Sequence, residues 1–251
     1  MEEGGDSVNL THSDVEKYHR DGYLLVENVF TQQEVDYMLH EIEHGEKVSA
    51  LTAEMSDKRG RKAKLAIWED LTDDIWSAVS TCPRIANSVR ILLGEEISFY
   101  HGKVMLKKAH EGGAWEWHQD YGYWYPSFMF PHMISAFTAL DEATSENGCL
   151  KVLKGSHKLG RIDHGMLGGQ LGADLERLMM VEQTLEQVEV QMKPGSVLFF
   201  HCNLLHASGP NLSDQHRRSF IVCYNALSNP CTLDQVDRNC IPVPAGSDKL
   251  F

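Results

Sequence analysis

The spacing of apolar positions changes period near residue 96 of this 251-residue chain. Before that point the helical interval dominates. Val35, Met38, Leu39 and Ile42 recur three and four apart behind Thr31, and the stripe runs out near Gly45, which predicts a helix with one core-facing side. Thr11-His12-Ser13-Asp14 offers cap residues for a shorter helix through His19, stopped by Asp21-Gly22. A strand is expected at Tyr23 to Val26 and another at Leu65 to Trp68. Thr72 opens a helical stretch carrying Ile75, Trp76 and Val79, and Pro83 starts one that ends at Gly94. Between them, Glu46 to Lys64 is charged and aperiodic, and is expected to form a mobile loop or lid.

Beyond Glu96 short strand-like runs take over. They lie at 97–100, 104–106, 133–140, 149–153, 188–192, 196–200 and 219–225, separated by Gly, Asn and Pro turns. Many strands with long connections predict a mainly β fold with flanking helices, a double-stranded β-helix or jelly roll of the cupin-like kind. Gly165 to Gly169 is expected to be flexible, and Gly172 to Glu182 a helix or ordered insertion. The prolines at 230, 242 and 244 suggest an irregular tail. The expected organisation is one domain, with a mostly helical flank at 1–95, a jelly-roll core at 96–225 and the tail at 226–251.

Composition narrows the function classes. With 42% hydrophobic residues the chain can bury a substantial core. A net charge of −13 argues against nucleic acid, whose binding relies on clustered Lys and Arg. The one basic run, Lys58 to Lys62, is offset by Glu54, Asp57, Glu69 and Asp70. The acidic N-terminus Met1 to Asp6 lacks the blocks of a secretory signal, and no apolar run approaches a membrane span. Six cysteines without paired short spacing suggest neither a zinc knot nor a disulfide frame. The expected setting is intracellular, cytoplasmic by default, with no membrane and no protein partner indicated.

Candidate chemistry concentrates at Trp115-Glu116-Trp117-His118-Gln119-Asp120-Tyr121. Residues two apart on a strand face the same way, so His118 and Asp120 can offer an imidazole and a carboxylate to one metal, with Gln119 turned away. A distant imidazole would complete a two-His, one-carboxylate set that leaves positions open for a chelating cosubstrate and dioxygen. His206, closing the apolar run from Phe199 ahead of Ser208-Gly209, is the best placed, with His201 its rival. Among thirteen histidines and thirty-six acidic residues the H-x-D pair alone is unspecific, so its context decides.

That context lies on two further strands. Alternation from Arg217 to Tyr224 places Arg217, Ser219, Ile221 and Cys223 on one face. An inward guanidinium with a hydroxyl two positions on is suited to hold a carboxylate such as that of 2-oxoglutarate. Upstream, His101, Lys103 and Met105 share one face while Tyr100, Gly102, Val104 and Leu106 share the other, so Lys103 or His101 can assist cosubstrate or substrate. Lys107 and Lys108 are expected in solvent.

Together these residues resemble the phytanoyl-CoA dioxygenase family. The likeness covers most of the chain, through Asp21-Gly22-Tyr23 and the apolar residues after it, Trp117-His118-Gln119-Asp120, Asn147-Gly148-Cys149 to Gly155-Ser156-His157, Pro194-Gly195-Ser196, His206-Ala207-Ser208-Gly209-Pro210-Asn211 and Arg217. In that family the H-x-D pair and a late His bind iron, and an Arg eleven residues further on binds 2-oxoglutarate. The resemblance therefore implies His118, Asp120 and His206 as ligands in preference to His201, and Arg217 in preference to Arg218. It also implies dependence on iron(II), 2-oxoglutarate and dioxygen, with ascorbate as activator, release of succinate and CO2, and hydroxylation of an aliphatic C–H bond.

For the substrate, the aromatic density around the motif is the main signal. Trp117, Tyr121 and Tyr123 are candidate contacts for a cationic group, since aromatic faces attract ammonium. His157 and Arg161 can add an anion-binding patch, with His157 expected to orient the pocket. A small zwitterion such as an amino acid, betaine or aminophosphonate fits these features. Acyl-CoA 2-hydroxylation of the phytanoyl-CoA type, a non-catalytic module binding metal and 2-oxoglutarate, and a cupin-like hydrolase or isomerase are the alternatives.

Overall fold

The computed structural model describes residues 8–232 and 240–251. The acidic N-terminus Met1 to Asp6 and residues 233–239 of the expected tail lie outside them. In chain order the elements are α1 (His12–Asp21), β1 (Tyr23–Val26), α2 (Gln32–His44), α3 (Glu46–Leu51), β2 (Thr52–Ser56), β3 (Lys62–Trp68), α4 (Ile75–Thr81), α5 (Pro83–Leu93) and β4 (Ile97–Lys107). There follow β5 (Trp115–His118), α6 (Asp120–Trp124), β6 (Met133–Ala139), β7 (Leu150–Leu153), β8 (His164–Leu167), β9 (Gln170–Ala173) and α7 (Leu175–Thr184). The chain ends through β10 (Gln187–Val190), β11 (Val197–His201), β12 (His206–Ser208), β13 (Arg217–Ala226) and β14 (Ile241–Pro242).

Two antiparallel sheets form the jelly roll. The larger has the order β1-β11-β6-β13-β4-β3-β2, with β14 also paired to β4, and the smaller has the order β10-β7-β12-β5. Alternation along β13 explains how one sheet serves two cores. Phe220, Val222 and Tyr224 face the helices, where they meet Val35, Met38, Trp76, Val79, Ile85 and Val89. Ile221 and Cys223 face the smaller sheet, in a second cluster with Phe137, Leu150, Val152 and Phe200.

The helices follow their sequence signals closely. Thr11 and Thr31 each form a capping box, with Asp14 and Glu34 respectively, and Pro83 opens α5. Arg84 on α5 is 2% exposed and grips Glu34 of α2 through both terminal nitrogens, at 3.0 and 2.7 Å, while also donating to the Val29 carbonyl at 2.9 Å. Burial pushes the Glu34 carboxyl up, but the hydrogen bonds from Arg84 and Thr31 more than reverse this and hold it below its ordinary 4.5. A depressed carboxyl stabilises the fold above its unfolded pKa, so this contribution is lost as pH falls through and below that range. Arg84→Ala, which strands the Glu34 charge, is expected to cost about 3–5 kcal/mol in denaturant unfolding at pH 7.

Several expectations need correction. The segment from Glu46 to Lys64 is no mobile loop, since it forms α3, β2 and the start of β3, a hairpin joined to β4 from Lys64↔Leu106 to Trp68↔Gly102. The buried residues of β3 include the small Ala63 and Ala66, both 0% exposed and on opposite faces, and the charged neighbours masked the strand pattern. The Asp57 carboxylate organises the hairpin turn by accepting N–H bonds from Arg59 and Arg61, and another from Ala114. The two runs at 97–100 and 104–106 are one strand, β4, with Gly102 in its interior. A Cβ there would lie 2.7 Å from Trp68 Nε1, so the glycine is a contact site for the indole. Gly165 to Gly169 belongs to the ordered β8–β9 hairpin. The flank before residue 96 contributes β1, β2 and β3 to the larger sheet, and β14 puts a strand into the tail. Among the described residues, no helix is long and apolar enough to cross a membrane.

Candidate active site

His118, Asp120 and His206 converge between the sheets, but not by the simple alternation expected. Strand β5 ends at His118, and Asp120 is the first residue of α6. Gln119 makes the bend. Its backbone N–H donates to His164 Nε2 at 2.9 Å, its side-chain amide donates to the carbonyls of Gly160 and Asn203, each at 2.8 Å, and its Oε1 accepts from Ile162 N–H at 2.7 Å. Gln119 does turn from the candidate ligands, and its hydrogen bonds lock the corner that delivers Asp120.

One ligand atom from each of the three residues lies within 4.8 Å of the other two, and all three side chains are buried. His118 Nε2 is 3.9 Å and His206 Nε2 4.0 Å from Asp120 Oδ1. The Nδ1 atoms donate to the carbonyls of Glu116 at 2.7 Å and Leu204 at 2.9 Å. A carbonyl only accepts, so Nδ1 carries the proton and Nε2 presents its lone pair to the centre. Burial, and for His118 the neighbouring His206, depresses both imidazoles and keeps them neutral. Burial pushes the Asp120 carboxyl up, and Lys103 with the two imidazoles more than offsets it. Ser135 donates to Asp120 Oδ2 at 2.7 Å, leaving Oδ1 turned to the histidines. Ser135→Ala, which frees that carboxylate to rotate, is expected to weaken iron(II) binding about 10- to 100-fold by calorimetry without unfolding the protein.

The cosubstrate residues are equally built in. Arg217 is 2% exposed and forms no ion pair with a described residue. Its NH2 group donates to the Gly148 carbonyl at 2.9 Å and its NH1 group reaches Ser219 Oγ at 3.5 Å, while buried Nε has no partner. Burial lowers its pKa to about 10. Gly148, at φ 80°, lies so close to Gly209 that a Cβ would stand 2.2 Å from that carbonyl oxygen, so only glycine brings its carbonyl here. Arg218, one residue on, points outward and pairs with Asp141 and Glu43. Lys103 Nζ lies 3.6 Å from Asp120 Oδ1. Lys107, expected in solvent, is 0% exposed and donates to the Gly209 carbonyl, because it is paired with Arg217 at the inner end of the β4–β13 ladder. The rival His201 is no ligand, since its Nδ1 accepts the Asn203 N–H at 3.0 Å.

These groups open into a cavity of about 440 Å³. Tyr100, Trp115, Tyr123 and Trp124 line it, with Phe137 and Phe200. Of the expected aromatic contacts only Tyr123 is among them. A register shift between His206↔His118 and Ser208↔Trp115 breaks alternation in β5, so Trp115 joins His118 at the cavity and Trp117 packs with Leu205 and Leu178 instead. Tyr121 donates its hydroxyl to the Phe128 carbonyl inside the core. His157 lies against Gly22, with Nε2 bonded to the His19 carbonyl, and Arg161 stacks 4.3 Å from the Tyr125 ring and pairs with Asp163 at 2.7 Å. Neither lines the cavity, so the expected anion patch is absent from its described walls. Tyr100 shares the cavity with His101 because a second register shift, at Cys223/Tyr224, interrupts β4 there. Sequence reasoning missed Ser135, for which a lone buried serine gives no signal, and the hairpin side chains Met55, Ile67 and Glu69.

A jelly roll with two neutral imidazoles and a carboxylate around one point, facing an unpaired buried arginine, defines a metal-dependent oxygenase. Comparison with known proteins takes this further. The family model described as phytanoyl-CoA dioxygenase matches residues 18–219, and the chain belongs to that family. It is 29% identical to ectoine dioxygenase of Bordetella bronchiseptica over 243 residues, covering 90% of this chain and 79% of the relative. Identity to L-proline trans-4-hydroxylase of Streptomyces griseoviridis is 27% over 259 residues, covering 93% and 96%. The fold matches EctD from S. alaskensis with bound Fe at a TM-score of 0.77, with 22% identity over 96% of this chain and 89% of that one. Iron(II) and 2-oxoglutarate are the cofactors of this class of dioxygenase, and the residues here fit both. The donor set is the two-imidazole, one-carboxylate set of such iron sites, and the orphaned Nε of Arg217 is the buried cation a dicarboxylate requires.

Proposed function

We propose that this dioxygenase hydroxylates an aliphatic C–H bond of a small zwitterion, consuming 2-oxoglutarate and releasing succinate and CO2. The observation that carries this reading is the pairing of an open His118, Asp120 and His206 site with the ion-pair-free guanidinium of Arg217 in one cavity. His118, Asp120 and His206 hold the iron, and Arg217 with Ser219 holds the distal carboxylate of 2-oxoglutarate. When bound, the two groups supply oxidative decarboxylation and the activation of dioxygen. The chain does the rest. Nδ1–H bonds fix the imidazoles, Ser135 and Lys103 fix Asp120, and the aromatic and aliphatic walls exclude water from the reacting carbon.

The zwitterion is supported by the names of the similar enzymes, which act on ectoine and L-proline, and by the aromatic rings around the cavity. The test is succinate formation in air with iron(II), ascorbate and 2-oxoglutarate as separate pools are added. Stimulation by ectoine, L-proline, glycine betaine or an aminophosphonate supports the reading. Stimulation by acyl-CoAs alone replaces it with 2-hydroxylation of a thioester. Binding of iron and 2-oxoglutarate with no succinate from any pool favours a non-catalytic module.

A further inference from the structure

The charged groups of the cavity divide unevenly. His118, Asp120 and His206 are taken by the metal, Lys103 lies against Asp120, and Arg217 faces the cosubstrate. Burial and then the Lys103 charge depress His101 to about 3, so it is neutral. Glu69 is the one charged side chain of the lining left without a task. It follows β3 directly, one residue beyond the Trp68↔Gly102 pair, which sets it beside His101 at one end of the cavity. Burial, then the charges of Cys223 and Glu69, push the Tyr100 hydroxyl up, so the carboxylate and this ring share that end. Tyr100 and Trp124 meet edge to face there at 5.5 Å, and the His101 ring lies 5.5 Å from the same indole. Glu69 itself makes no hydrogen bond or ion pair with a described residue.

Resting on the oxygenase reading above, we infer that Glu69, Tyr100 and Trp124 form a cation subsite that grips the ammonium end of the substrate and presents its aliphatic part to the metal. An acid and aromatic faces together favour a substituted ammonium over a neutral group of the same shape, since both attract positive charge. The apolar side chains Met55, Leu65 and Ile67 on the adjoining hairpin face the remainder of such a molecule. Glu69 is the specificity residue in this arrangement. The substrate this subsite selects is therefore an alkylammonium compound.

The probes are choline and its uncharged isostere 3,3-dimethyl-1-butanol, titrated anaerobically into the protein loaded with iron(II) and 2-oxoglutarate while intrinsic tryptophan fluorescence is followed, Trp115 and Trp124 being the two indoles of the cavity lining. Choline is expected to bind at least tenfold tighter than the isostere. In Glu69→Gln that preference should fall to about threefold or less, with the affinity for the isostere retained as evidence of an intact cavity. Equal binding of the two probes by the unsubstituted protein, or a preference that survives in Glu69→Gln, overturns the subsite. Succinate formation by the unsubstituted protein is measured in parallel. Its absence counts against the oxygenase reading, while the binding comparison still decides whether the cation subsite exists.

Discussion

Arg217→Ala is expected to raise the 2-oxoglutarate concentration for half-maximal succinate formation by about 30- to 4,000-fold. Truncating one partner of a buried, hydrogen-bonded charge pair costs about 2–5 kcal/mol, which converts to that range. Arg217→Lys should recover only part of the affinity, because an ammonium cannot form the planar fork that also reaches Ser219 and the Gly148 carbonyl. The stability of the cofactor-free protein offers a sharper check. Arg217 is an unpaired cation there, so Arg217→Met should leave unfolding free energy unchanged or raise it, while Arg84→Ala, which breaks a formed pair, lowers it. A fall in stability as large as that for Arg84 would mean that Arg217 serves the fold and not the cosubstrate.

Asp120→Ala or His118→Ala should abolish the reaction, with succinate formation reduced at least about a thousandfold, since removing one member of a unit disables the whole. The same variants give a readout without turnover. Iron(II) at about a hundred times its Kd should stabilise the unsubstituted protein by about 2.7 kcal/mol in denaturant unfolding, and do nothing for the variants. Chelator treatment should reverse both effects in the unsubstituted protein. His201→Ala, by contrast, should retain metal-dependent stabilisation, as the ring is engaged with Asn203 outside the ligand set. Stabilisation by iron that persists in Asp120→Ala would remove the metal site.

What the sequence made legible is what local rules govern. The capping boxes at Thr11 and Thr31, the start of α5 at Pro83 and the alternation of β13 depend on a few neighbouring residues, and each appears where expected. The convergence of His118, Asp120 and His206 and the burial of Arg217 were legible because these residue types have few structural uses in that arrangement. The substrate side was less legible for a physical reason. Two register shifts, at Cys223/Tyr224 and between His206 and Ser208, exchange which aromatics face inward, bringing Tyr100 and Trp115 to the cavity while Trp117 packs elsewhere. A bulge is set by pairing with a distant strand, so a period-two reading of one strand cannot foresee it. Ser135 was hidden likewise, as its value lies entirely in meeting Asp120 across the fold.

The β2–β3 hairpin forms one wall of the cavity and also ends the larger sheet, with β2 as its outermost strand on that side. None of the proposed metal or cosubstrate residues is on it. Its contribution to the site, through Ala53, Met55, Leu65, Ile67 and the adjoining Glu69, is separable from the chemistry in a way that β5, β12 and β13 are not. Grafting a hairpin of different shape onto β4 would therefore redirect the enzyme to new molecules with its oxidising apparatus left standing. The outward charges of Glu54, Lys62 and Lys64 would have to be carried over in any such graft, because a bare terminal strand invites pairing between chains.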